Sequence, residues 1–170
     1  MNPGKLQYAE NEGTYVLKLS GEVRLNLCSS LELFLDRMFS EPGFKSVIID
    51  LSATETIDST SLGLLARLSI QAKKQFGLTP VIISTHEDIT RILMSMGFDS
   101  VFNIVEQLEG LENLNLALNS IGCDSADEQT AQAQRVIDAH KVLMSMNEEN
   151  QKAFGELVSQ LEEVQSRQES

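Results

Sequence analysis

Ile48-Ile49-Asp50-Leu51-Ser52-Ala53-Thr54-Glu55-Thr56-Ile57-Asp58-Ser59-Thr60-Ser61-Leu62-Gly63-Leu64-Leu65 changes grammar twice within one short stretch. It opens inside Ser46–Leu51, where Val47-Ile48-Ile49 is the continuous apolar run of a strand buried on both faces. A polar stretch, Ser52–Thr56, then reads as a loop crossing the sheet edge. At Ile57-Asp58-Ser59-Thr60-Ser61 a helix begins; it carries Leu62, Leu65, Leu68 and Ala72 inward until Gly77 stops it. Asp, Ser and Thr are preferred helix caps, but one capping side chain satisfies the orphan amides. Three consecutive hydroxyls after Asp58 exceed that need. A helix N-terminus also favours anions, so a phosphate there would leave the fold intact while adding up to about two negative charges. The segment suits a reversible charge switch.

Outward from it, strands and helices alternate. Lys5–Glu10 and Thr14–Ser20 flank Asn11-Glu12-Gly13, the signature of an antiparallel hairpin with Tyr15, Leu17 and Leu19 on one face. Leu27–Phe39 has helical spacing at Leu27, Leu31, Phe34 or Leu35, and Met38, and Glu41-Pro42-Gly43 ends it. Pro80–Ser84, around Val81-Ile82-Ile83, is another buried strand. Thr85 or His86 opens a third helix through Leu93 and Met96, closed by Gly97. Val101–Val105 predicts a last short strand and Leu108–Leu118 a last amphipathic helix. A meander followed by β-α units predicts an α/β fold: a mixed β-sheet with helices packed mainly on one face.

The composition shifts after Gly122. Residues 1–122 carry a net charge of −6, and residues 123–170 carry the same −6 in less than half the length. All three prolines lie in the first part, and the second keeps one aromatic, Phe154. The expected organisation is therefore a domain over 1–122 and an acidic helical extension over 123–170. Within the extension, Asp127–Ser145 aligns Val136, Ile137, His140, Leu143 and Met144, and Glu148–Gln165 aligns Phe154, Leu157, Val158, Leu161 and Val164. Asn147-Glu148-Glu149 between them reads as an N-cap with acidic first-turn residues. The pattern fits a helical hairpin or one long helix with a weak joint, expected to serve interaction rather than the core of the domain.

Charge and motifs exclude several classes. A formal charge of −12 argues against a nucleic-acid surface and against an anionic membrane face. Cys28 and Cys123 make no CxxC pair and no ligand cluster, so no metal site is expected. No apolar run approaches membrane-spanning length and no signal-peptide core opens the chain, which predicts a soluble, cytoplasmic protein. GxSxG, a P-loop and GxGxxG are absent, and no cofactor is expected. His86 reads as a capping or solvated residue, His140 as a packed or interface histidine, and Cys28 as a small buried hydrophobe. A serine hydrolase would lack a placed base, and no catalytic constellation emerges.

Leu51–Leu65, together with Thr85-His86-Glu87-Asp88 and Met96-Gly97-Phe98-Asp99-Ser100-Val101-Phe102-Asn103-Ile104, resembles the STAS domain of anti-sigma factor antagonists over about residues 5–118. The family pattern is strand, Asp-Leu, short loop, Asp-Ser-Ser/Thr-Gly-Leu-Gly, helix, and later Gly-Leu/Phe-Asp-x-Val-Phe-x-Ile. By position, Ser59 matches the serine that a partner kinase phosphorylates, Asp58 and Thr60 its neighbours, and Leu62-Gly63 the Leu-Gly. Ser61 stands where the family usually has Gly, which keeps the neighbouring hydroxyls in play; Arg24 stands where many antagonists carry Asp. The extension resembles a proteobacterial subgroup whose antagonists work beside a response regulator with phosphatase and kinase activities.

The resemblance implies a partner-switching protein. It would bind an anti-sigma factor or serine kinase when unphosphorylated, be switched off by serine phosphorylation, and be restored by a PP2C-type phosphatase. Arg24, Leu62, Gly63 and Arg67 are the expected partner contacts, on the exposed side of the Ser59–Phe76 helix and the Gly21–Asn26 loop. An accessory STAS subunit of a transport complex is the alternative; Ser59 and the long acidic extension favour the switch.

Overall fold

The structure, a computed structural model, describes residues 3–111, 118–121 and 129–169. β1 (Lys5–Asn11) and β2 (Thr14–Val23) form an antiparallel hairpin closed by Glu12 and Gly13, both at positive φ (53° and 91°). Two such residues make the two-residue turn whose twist matches the strands it joins. A single 3₁₀ turn, Leu25–Leu27, leads into α1 (Cys28–Ser40). β3 (Ser46–Asp50), β4 (Thr54–Ile57), α2 (Ser59–Phe76), β5 (Val81–Ile83), α3 (Glu87–Ser95) and β6 (Asn103–Val105) follow. The sheet runs β6-β5-β3-β2-β1-β7, where β7 is Asn119–Ser120, and β4 pairs with the far end of β2. β2, β3, β5 and β6 are parallel, in a register that aligns Leu17, Ile49, Ile82 and Ile104.

That register explains the apolar runs. Leu17, Leu19, Val47, Ile49 and Ile82 face α1, α2 and α3 and belong to the main core, with Leu65, Leu68 and Phe98. Val16, Ile48 and Ile83 alternate to the opposite face and gather Val81, Val105, Leu108 and Leu111. A strand buried on both faces has no polar side to show. The result is the mixed STAS-type sheet with helices, extended by two C-terminal helices.

Two readings of the sequence change, and one alternative is decided. Ser52–Thr56 is not all loop: Thr54–Ile57 forms β4, and the Thr54 hydroxyl donates to the Leu19 carbonyl at 2.6 Å. The bulge at Gly21 (φ 70°) turns the end of β2 away from β3, which frees its edge for β4. Of the expected Leu108–Leu118 helix, Leu108–Gly110 is not helical, Leu111 is, and residues 112–117 lie outside the described residues; the unforeseen β7 pairs with β1 just past it. His86 occupies the N-cap position of α3 without a capping bond and is exposed, so it is the solvated alternative.

The extension forms α4 (Gln129–Met146) and α5 (Glu148–Glu169), an antiparallel hairpin rather than one long helix. Cross-links at Lys141–Glu162 (3.3 Å) and Gln134–Gln165 (2.7 Å) fix the antiparallel sense. Asn147 caps α5 through Oδ1, which accepts from the Asn150 amide at 2.8 Å. Asn150, itself buried, donates through Nδ2 to the carbonyls of Leu143 and Met96, both at 2.9 Å, pinning the elbow to the end of α3. Arg135 reaches Glu32 on α1 at 2.8 Å. The helices therefore dock on the domain. Leu143 is fully buried in the same cluster as the sheet, so the extension adds to the core, which its acidic composition hid.

Candidate functional site at the start of helix α2

Asp58 organises the site. One carboxylate oxygen accepts from the Ser61 amide at 2.8 Å and caps α2; the other accepts from the Leu25 amide, also at 2.8 Å. One side chain thereby joins the helix start to the loop that carries Arg24. Asp58→Ala removes both bonds, and a fall in stability of about 1–2 kcal/mol is expected. Chemical denaturation measures it; a change below a few tenths would show that water replaces both bonds.

Because Asp58 does the capping, the three hydroxyls that follow are spared, and the fold separates them. Thr60 and Ser61 are buried at 6% and 1% exposure, whereas Ser59 is half-buried. Ser61 sits 3.5 Å from the sulfur of Cys28. Burial pushes the Cys28 thiol up to about 11, against the lowering effect of Ser61, so near neutrality it is an un-ionised core thiol.

The partner of Ser59 comes from the extension. Its Oγ lies 2.8 Å from Nε2 of His140, and Nδ1 of that ring lies 2.6 Å from the carbonyl of Val136. A carbonyl only accepts, so Nδ1 donates to Val136; in the neutral ring Nε2 then keeps its lone pair and accepts from the Ser59 hydroxyl. His140 is buried and stacks edge-on against Phe154, ring centres 5.0 Å apart. One turn along α2, Gly63 lies under Ala139: a Cβ there would overlap the Ala139 carbonyl. Two helices meet where one lacks a side chain.

The structure thus supplies the base near Ser59 that the sequence did not place. The imidazole is oriented by its own helix's carbonyl rather than a carboxylate, and both Asp58 oxygens serve backbone amides. A cleft of about 270 Å³ opens farther along, lined by Glu32, Gly63, Arg67, Arg135, Ala139 and Val142. Ser59 is not part of its wall.

The expected partner contacts divide into two groups. Arg24 is exposed and pairs with Glu22 at 3.3 Å; Arg67 reaches Glu32 and Asp36 at 3.4 and 3.5 Å and remains partly exposed. Leu62 and Gly63 are buried. The face expected to be open is covered over its first turns by α4, and α2 is exposed mainly at its far end, at Ile70 and Lys73–Phe76. Sequence reasoning noted His140 as a packed or interface residue but missed its contact with Ser59. A small residue on each of two amphipathic helices, Gly63 and Ala139, was the available signal for their close approach.

Residues 5–111 match the family model of the STAS domain. The chain belongs to the STAS-domain family. Among solved structures, it is similar to an anti-sigma factor antagonist from Mycobacterium paratuberculosis, with 23% identity and a TM-score of 0.54, over 66% of this chain and 94% of that one. That likeness confirms the fold. It also matches an uncharacterized DUF3478-family protein with a SpoIIAA-like fold from Shewanella loihica, at 13% identity and TM-score 0.48, over 67% and 93% of the two chains. Among the described residues no helix is long and apolar enough to cross a membrane.

Proposed function

We propose that this STAS protein is an anti-sigma factor antagonist in a partner-switching pathway. In this reading the unphosphorylated form binds an anti-sigma factor or serine kinase, and phosphorylation of Ser59 switches it off. A PP2C-type phosphatase, carried in the subgroup it resembles by a response regulator, restores it. The domain is substrate and ligand, not catalyst. The observation that carries the reading is the division of labour at α2: Asp58 caps the helix, Thr60 and Ser61 are buried, and Ser59 is the hydroxyl left nearest the surface.

In the transfer, the Ser59 Oγ forms a bond to the γ-phosphorus of a nucleoside triphosphate as the bridging P–O bond breaks. The nucleoside diphosphate leaves, and the hydroxyl proton passes to a base of the kinase. Arg24 and Arg67 stand where a partner can reach them. Gly63 acts by seating α4 against Ala139, and Leu62 is part of the main core, so a partner would reach Gly63 only by displacing α4.

The test is intact-mass and peptide mapping after incubation with the triphosphate and a candidate kinase, followed by partner capture. Ser59→Ala should accept no phosphate and hold the partner constitutively. Ser59→Asp should bind roughly tenfold more weakly or worse, through charge repulsion at the contact. Phosphate confined to Thr60 or Ser61 would reassign the switch, and a chain that takes no phosphate yet co-purifies with a transport ATPase would favour the accessory-subunit reading.

A further inference from the structure

We propose that the α4–α5 hairpin is a latch, held over α2 by the Ser59–His140 hydrogen bond, and that phosphate on Ser59 releases it. The inference rests on Ser59 being the phosphoacceptor, but it changes what the phosphate does. The modification alters the shape of the protein as well as the charge at a contact.

Three features of the interface carry it. The first is hydrogen-bond polarity. In the neutral ring, with the Nδ1 proton committed to the Val136 carbonyl 2.6 Å away, Ser59 donates to the lone pair on Nε2. A dianionic phosphate replaces that donor with oxygens that only accept, and they face the lone pair of the neutral ring.

The second is room. His140 is 2% exposed and backed by Phe154, whose ring centre is 5.0 Å away. The helices are already in backbone contact one turn on, where Gly63 lies against Ala139. The imidazole cannot retreat into Phe154, so space for a phosphate arises by lifting α4 from α2.

The third is charge. The carboxylate of Asp58 adjoins the modified serine and is fixed by two backbone amides. The extension itself carries ten acidic and four basic residues over 123–170. Arg135, on α4, is drawn to Glu32 at 2.8 Å. A dianion on Ser59 is repelled by the adjacent Asp58 carboxylate and stands against the net negative charge of the extension as a whole.

Release would uncover Gly63 and withdraw Arg135, Ala139 and Val142 from the cleft they line beside Arg67. A partner that recognises the closed surface then loses part of it when Ser59 is modified.

The experiment uses the full chain with phosphoserine encoded at position 59, so no kinase is needed. Spin labels go on cysteines introduced at the exposed Leu33 of α1 and Gln160 of α5, with Cys123→Ser and the buried Cys28 left in place. Pulsed electron–electron distance measurement should give one narrow distribution with Ser59. With phosphoserine it should give a longer, broad one, while the cooperative thermal transition persists. Gly63→Leu is the open-state control. An unchanged narrow distribution with phosphoserine, when Gly63→Leu opens the hairpin, overturns the latch; so does a phosphoserine chain that has lost its thermal transition. A broad distribution already present with Ser59 overturns it as well. None of these outcomes bears on whether a kinase modifies Ser59, which mass mapping decides separately.

Discussion

Leu143→Ala will loosen the hairpin by roughly 2–5 kcal/mol, the range for removing a large apolar side chain from a packed interior. Leu143 is 0% exposed and shares its cluster with the sheet residues Leu17, Ile49 and Ile82. The surrounding helices are held apart by other contacts, among them Asn150 to Met96 and Arg135 to Glu32, so the space cannot collapse freely. Amide hydrogen exchange should show faster exchange throughout α4 and α5, with β2, β3 and β5 keeping their protection. Equal loss in the strands would show that hairpin and sheet open as one unit. The compositional break after Gly122 would then mark no energetic boundary.

Gly63→Leu should have a comparable effect by the opposite route. A Cβ at this position already overlaps the Ala139 carbonyl and side chain, and a leucine adds three further carbons. Overpacking costs about 1–3 kcal/mol where neighbours can shift, and the upper end is expected here because the obstacle is backbone. Part of the loss is offset, since leucine is a better helix former than glycine. The exchange pattern should match that of Leu143→Ala. Gly155→Ala is the control: its Cβ would meet only the terminal methyl of Met144, at 3.9 Å. It should be neutral or stabilising by up to about 1 kcal/mol. Equal behaviour of the two glycine variants would show that the α2–α4 approach is not tight in solution.

The parts of this protein that its sequence displayed are those whose reasons are local. Val47-Ile48-Ile49 and Val81-Ile82-Ile83 announce central strands because a strand buried on both faces must be apolar at every position. Asp58 announces the start of α2 and Gly77, at φ 66°, its end, because caps depend on backbone conformation a residue or two away. Asn147 likewise marks the elbow of the hairpin. β4 and β7 gave no such sign. β4 has two exposed positions in four and forms because the bulge at Gly21 presents an edge, and β7 is two residues long.

The site divides along the same line. The run Asp58-Ser59-Thr60-Ser61 marked a hydroxyl cluster at a helix start, yet its three hydroxyls are equivalent in sequence. Burial distinguishes them, and burial is set by α1, α4 and the sheet together. An amphipathic stripe states that a helix must cover its apolar face without stating what covers it. Hence Ile137, His140 and Leu143 fixed that the extension would pack, but not that it would pack on α2. That choice was made on a distant helix, where Gly63 leaves room for Ala139 and Ser59, 81 residues away from His140, offers it a hydroxyl. Helix caps and strand runs are written by nearest neighbours, whereas the docking of one helix on another depends on complementary shapes that exist only once both have folded.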